Sequence, residues 1–508
     1  MGILHGLFKL IPTRYLHRYE PLLPGDAYSN TGHELELEDE GKDQTTTKSK
    51  QAWIARCAKT TAVFLTPSFL QRSGEKSERK ITETSYLNGV RGLAASLVYV
   101  QHMLFARWIH NGYNGRQGGD FFFQLPFIRL LYSGRFMVAI FFILSGYVLS
   151  YRPLRLARKS DSRALYDNLS SAAFRRTPRL FLPIVPAMFG TATIIYFTCY
   201  GAEDFTLNRC LPKATSLWRQ SWDYVPVLVR MLDPSAWNEY YPPGLPHLWT
   251  LSMEFRGSMV VFLLVLGLGN TKPLYRLCLL SLYAVFFLHL GKWDTFLFTC
   301  GPVLAELRIS RTEAQKLLET ELQTRPMPSG YSNSKRTQTS FHWGVVTKVF
   351  WTINFIAGLF LGSWPAFYAC SSFGFRDLCY LTPAPYTGSE TVEQYFWVSI
   401  GAFLLLLSFE HMEVLQKPFT TRLASYMGDI SFGFYIVHWT MLFTVGTVII
   451  GTCKSWLPYG YPNYSLGFFV GAIITTPFVI WVGDIHWRAF DNGAVKCARW
   501  LNTTCTRK

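Results

Sequence analysis

The chain has 508 residues, of which 49% are hydrophobic, 16% aromatic and only 16% charged. Soluble domains carry about 25% charge, so the charge is low, and disordered or collagen-like chains, which do not hold 40 Phe, 27 Tyr and 16 Trp, are excluded. The net charge of +16 points to nucleic acid in a soluble protein and to topology in a membrane protein, and the positions of the 49 Lys and Arg decide between them.

Residues 1–85 read as a polar cytoplasmic tail with an acidic patch at Glu34, Glu36, Glu38, Asp39 and Glu40 and no cleavable signal. Within it, residues 51–70 are weakly amphipathic and suit either a surface-lying segment or a linker. Ten apolar runs near the spanning length then follow: 87–108, 130–150, 178–199, 246–267, 273–291, 293–309, 345–363, 393–409, 430–452 and 466–488. The expected fold class is all-α, a polytopic integral membrane protein with about ten transmembrane helices over residues 86–490, closed by a cytoplasmic tail at 491–508. With the N-terminus inside, about 35 Lys and Arg fall on inner segments and about eight on outer ones. Both termini are therefore expected in the cytoplasm, with the bilayer rather than nucleic acid as partner. The endoplasmic reticulum or another endomembrane is the expected location.

No cysteine spacing suits zinc, and no metal is expected. Cys370 with Cys379, and Cys199 with Cys210, share outer loops as disulfides or as free thiols. Asn463 begins the one glycosylation sequon on the outer side.

A charged side chain at mid-bilayer costs at least about 2.5 kcal/mol, so each one asks for a partner or a task. Arg91 and His102 lie on one face of the first span, about 16 Å apart along its axis. That suits a long ligand with an anionic head at one end and a reactive group near a basic His; an interfacial Arg and a hydrogen-bonded His are the plain alternative. The second span holds Arg135, at a depth similar to His102, and the packing pair Ser145-Gly146. The stretch before the third span places Arg176 and Arg179 three apart, where they mark topology or hold a phosphate; Pro178 is expected in that span's first turn. Glu254, in the fourth span, is expected to orient His102, hold a substrate hydroxyl or pair with Arg135. Tyr435 and His438 share a face of the ninth span and read as structural hydrogen-bonding groups, while Glu306 and Asp484 are ambiguous.

These residues resemble, in order, the motifs of the acyltransferase 3 family of membrane acyltransferases. Arg91 to His102 is similar to its Arg-X10-His, Phe141 to Tyr147 to its Phe-Phe-x-x-Ser-Gly segment, and Arg176-x-x-Arg179 to its basic pair. Trp249 to Phe255 resembles its Trp-Ser/Thr-Leu-x-x-Glu segment, and Gly428 to His438 its late Gly-x-x-Ser-x-x-x-Tyr-x-x-His segment. The resemblance implies the ten-helix acyltransferase 3 fold, a fungal-like branch, and transfer of an acyl group, commonly acetyl, from acyl-CoA to a hydroxyl. It implies that His102 is the base and that Arg91 is essential.

On this reading Arg91, Arg176 and Arg179 meet the acyl-CoA, which is a donor substrate rather than a resident cofactor. His102, Glu254 and Arg135 form the catalytic set. The acceptor is expected to be a hydrophobic alcohol such as a fungal terpenoid or polyketide, with a sugar or glycan as the enzymatic alternative. A secondary transporter is the rival of another class, but neither inverted repeats nor matched helix breaks are evident.

Overall fold

A computed structural model of the protein describes residues 61–71, 84–104, 107–114, 120–198, 211–235, 239–324, 334–461 and 464–506. The chain divides into two compact units, Met1–Ala62 and Val63–Lys508, and the description concerns the second. The acidic patch, Cys199 with Cys210, and Asn463 lie outside the described residues.

Helices occupy all ten apolar runs. In chain order they include α1 (Ser85–Met103), α2 (Gly134–Arg158), α3 (Ser162–Phe181), α4 (Ile184–Phe197), α5 (Leu217–Trp222) and α6 (Tyr224–Met231). Next come α7 (Trp249–Leu268), α8 (Pro273–His289), α9 (Trp293–Thr324), α10 (Ser334–Gly362) and α11 (Glu390–His411). The last are α12 (Arg422–Met441), α13 (Thr447–Trp456), α14 (Leu466–His486) and α15 (Asn492–Cys505). Among the described residues, 7 helical stretches are long and apolar enough to cross a membrane. The three other expected spans are helical but fall short for visible reasons. Asn88, Arg91, Gln101 and His102 crowd the 19 residues of α1, α8 has 17 residues, and the second half of α9 is charged.

The third span differs from its expected start. α3 begins at Ser162, where the Asp161 side chain accepts the Ala164 N–H, so Pro178 lies inside the last turn of α3 rather than opening a helix. The chain breaks at Leu182-Pro183 and continues as α4.

Small residues let the central helices touch backbone to backbone. A Cβ on Gly146 of α2 would lie 2.2 Å from the Phe298 carbonyl oxygen of α9, and one on Gly301 would lie 2.2 Å from the Tyr147 nitrogen. Gly428 of α12 meets the Asn88 carbonyl of α1 in the same way, at 2.1 Å. Several charged residues sealed between these helices are paired. Glu306 is fully buried and accepts from Arg158 at 2.8 Å and from Arg276 at 2.9 Å. Arg256 pairs with Asp294, and Glu410 accepts from both Arg308 and Tyr86. Glu306 is therefore a structural anchor. Asp484 likewise accepts from Arg488 and from the Ser68 hydroxyl, which ties residues 63–71 to α14.

At the end of the bundle away from this basic side, the loops form a cap. Cys370 and Cys379 form a disulfide. With Glu393 they are the one group of metal-type ligand atoms close together among the described residues, and the disulfide takes both sulfurs out of ligation. Arg129 donates to the carbonyls of Asn111 and His110. Burial holds the His110 imidazole down at about 4, below its ordinary 6.5.

Two outcomes follow from this packing. Removing one partner of a buried ion pair costs about 3–5 kcal/mol, so Glu306→Ala should sharply lower the melting temperature of the purified protein; an unchanged melting curve would show that the pair is not structural. His110 favours the folded state only while neutral, so its contribution is present above about pH 6.5 and is lost as pH falls toward 4. The acid loss of thermal stability should be smaller in His110→Gln than in the wild type.

Candidate active site

One pocket enters the bundle among α1, α2, α3, α7, α12 and the turn after α14, enclosing about 1070 Å³ of empty space with its mouth included. Its residues sort by depth along the helices. The mouth holds Arg176 and Arg179 of α3, Arg91 of α1, Glu254 of α7 and Asp491. The walls are apolar, mainly Phe141, Phe142, Leu144, Val148 and Phe432. The lining runs on α2 from Leu149 to Val138, 11 residues and so about 16 Å.

Hydrogen bonds set the mouth. Arg176 Nη2 lies 2.5 Å from Glu254 Oε1, and its Nε donates to Ser258 Oγ at 2.8 Å. Ser145 Oγ also donates to Glu254 Oε1, at 2.5 Å. Arg91 donates to Ser431 Oγ at 3.1 Å. Arg179 has no direct ion pair among the described residues and faces the pocket. Three guanidinium groups against two carboxylates leave the mouth with one excess positive charge, which favours an anionic ligand.

The deep end is closed by Tyr435 and Thr250. The Tyr435 hydroxyl donates to the His247 carbonyl oxygen, so the 2.6 Å contact with Thr250 Oγ1 is one that Thr250 donates. Behind Tyr435 stand three histidines. His438 donates Nδ1–H to the Tyr435 carbonyl at 2.6 Å, which leaves Nε2 as a buried lone pair without a partner. His247 donates Nε2–H to the Ile436 carbonyl at 3.1 Å, which leaves Nδ1 in the same state. His102 stacks on His438 with ring centroids 5.4 Å apart and meets the edge of Trp439 at 5.0 Å.

The structure thus gathers Arg91, Arg176, Arg179 and Glu254 around one pocket and sets His102 beyond its closed end. Glu254 binds Arg176 and Ser145, not His102 or Arg135. Arg135 lies one turn past Val138; its guanidinium donates to Gln394 Oε1 at 2.5 Å and covers the Tyr395 ring at 5.2 Å. Asp491, Thr250 and the His247 ring were not singled out from sequence. Tyr435 and His438, the i,i+3 pair expected to serve as structural hydrogen-bonding groups, are both hydrogen-bonded here.

Residues 84–484 match the profile of the family described as "Acyltransferase domain". The chain belongs to the acyltransferase 3 family. It is 30% identical over 470 residues to the O-acetyltransferase PaAT-1 of Phomopsis amygdali, covering 86% of this chain and 88% of that protein. It is 22% identical to acyltransferase R4 of Phoma sp. (strain ATCC 20986 / MF5453), covering 83% and 96% of the two chains. Identity to acyltransferase clz18 of Cochliobolus lunatus is also 22%, with 82% and 94% covered. No solved structure matches the chain. The protein is accordingly a membrane acyltransferase, and it resembles fungal enzymes.

The two neighbouring arginines of α3 separate by position. Arg176 lines the pocket, whereas Arg175 donates to the Ser171 carbonyl of its own helix at 3.0 Å and lies off the pocket. Arg176→Ala should lower kcat/KM for acyl transfer at least about tenfold, the scale of one lost charge-assisted hydrogen bond. Arg175→Ala should stay within about twofold. Equal losses in the two variants would contradict the pocket assignment.

Proposed function

We propose that the protein is an O-acetyltransferase that moves an acetyl group from acetyl-CoA to a hydroxyl of a hydrophobic small molecule. The observation that carries this reading is the polarity gradient of the pocket. Arginines and carboxylates stand together on one side of the pocket, mainly apolar residues of α2 line it over about 16 Å, and a histidine cluster stands past Tyr435. Such a channel suits a CoA thioester, with phosphates at one end and the reactive carbon at the other. The name of the Phomopsis amygdali relative, an O-acetyltransferase, favours acetyl.

In this reading the CoA phosphates meet Arg179, Arg176 and Arg91, and Glu254 holds Arg176 in place through their shared hydrogen bond. His102 takes the proton from the acceptor hydroxyl. The oxygen attacks the thioester carbon, the carbon–sulfur bond breaks, and the proton passes from the imidazole to the CoA sulfur. Arg135 stands at the level of His102, because Gly134 packs against Gln101. Only one of its five N–H groups is engaged by Gln394, so it is the donor available to a developing oxyanion. The basic side, where the CoA enters, is cytoplasmic, both termini lie there, and the membrane is the endoplasmic reticulum or a related endomembrane. The acceptor is an apolar alcohol of the fungal terpenoid or polyketide kind, in keeping with the aromatic-rich helices.

The test is CoA release from acetyl-CoA by membranes holding the protein, with and without candidate alcohols. Release should depend on the alcohol, and His102→Ala should reduce it at least about 100-fold while the protein stays folded. Near wild-type transfer by His102→Ala would reject the base. In a gene-deletion strain, mass spectrometry should find a deacetylated apolar compound; a deacetylated sugar would reject the acceptor class.

A further inference from the structure

We propose that residues 63–71 are an interfacial anchor, lying at the headgroup level of the bilayer with their apolar side chains in lipid. The sequence of residues 51–70 suits a surface-lying segment or a linker, and three observations favour the first for the part from Val63 onward. The first is exposure. Val63, Phe64, Leu65, Phe69 and Leu70 are 41–62% exposed, an apolar surface that a solvated linker has no use for.

The second is the backbone. Non-helical chain in contact with lipid must have its polar groups satisfied by protein, whereas in water it need not. Here they are satisfied. The Leu65 carbonyl accepts from Trp481 Nε1 at 2.6 Å, and the Thr66 carbonyl from Arg488 at 3.1 Å and from Gln71 Nε2 at 2.8 Å. Gln71 also donates to the Val63 carbonyl at 2.8 Å, Leu70 N–H to the Pro67 carbonyl at 3.0 Å, and Ser68 N–H to Asp484 at 3.1 Å. The third is continuity with the surface that α14 offers to the membrane. Ile473, Ile474 and Phe478 are exposed on this helix of spanning length, so lipid covers that face. Trp481 stands one turn beyond Phe478, and Asp484 and Arg488 follow, so the segment takes up the same face about 9 Å further along. Trp and Arg are the side chains that favour a membrane–water boundary, and the Arg488 guanidinium lies 5.6 Å from the centre of the Phe64 ring. The flanking sequence is net basic on both sides, from Arg56 to Lys59 and from Arg72 to Lys80, which suits anionic headgroups.

The experiment places an environment-sensitive fluorescent amino acid at Phe69, and separately at Leu70, in the full-length protein reconstituted into vesicles of phosphatidylcholine and phosphatidylserine. Both side chains are more than half exposed, so the label fits without repacking, and if one labelled protein does not fold the other decides. Lipids brominated near the top of the acyl chain should remove most of the emission, and iodide in the water should remove little. Comparing bromine positions should place the label about 5–10 Å into the boundary between headgroups and acyl chains. Quenching by iodide and not by brominated lipid would show a solvated linker and overturn the proposal. Quenching by neither would show that protein covers the site, another segment of this chain or a second copy, and would overturn it equally.

Discussion

A guanidinium or carboxylate held between apolar helices must find a partner or be costly, and this requirement organises the bundle. Arg158 and Arg276 converge on Glu306, Arg256 meets Asp294, and Arg308 meets Glu410. These pairs tie α2, α8 and α11 to α9, and α9 to α7, and α2 and α9 also meet backbone to backbone at Gly146 and Gly301. The one pocket rich in arginine breaks the pattern. There three guanidinium groups face two carboxylates, and Arg179 has no direct ion pair among the described residues. The excess positive charge at the pocket is one that an anionic ligand would balance.

The same pocket separates two kinds of chemistry. Its mouth is electrostatic and suits recognition of phosphates, whereas its far end is a hydrogen-bonded partition of Tyr435 and Thr250. Beyond the partition lie His102, His247 and His438, two of them with buried lone pairs free.

Much of this was legible in the sequence because charge stands out against apolar runs. Arg91, Arg176, Arg179 and Glu254 are visible as isolated charges at helix spacing, and they do share one pocket. The start of α3 at Ser162 was hidden because its first four turns are polar and amphipathic, below any spanning threshold. The Tyr435–Thr250 partition was hidden for a different reason. It joins residues 185 apart through hydroxyl groups, and no periodicity reports which helices pack together. The depth of His102 was inferred from its distance to Arg91 along one helix. That distance holds, but it does not reveal that His102 stacks on His438 of α12 and does not line the pocket. The disulfide was likewise one of two readings until the loop geometry brought Cys370 against Cys379.

The most direct test of the account is an experimental structure of the protein with a non-hydrolysable acetyl-CoA analogue. The account predicts density in the pocket, with phosphates against Arg176 and Arg179 and the acetyl group on the side of His102. An analogue bound elsewhere, or lying with its phosphates toward Tyr435, would contradict it.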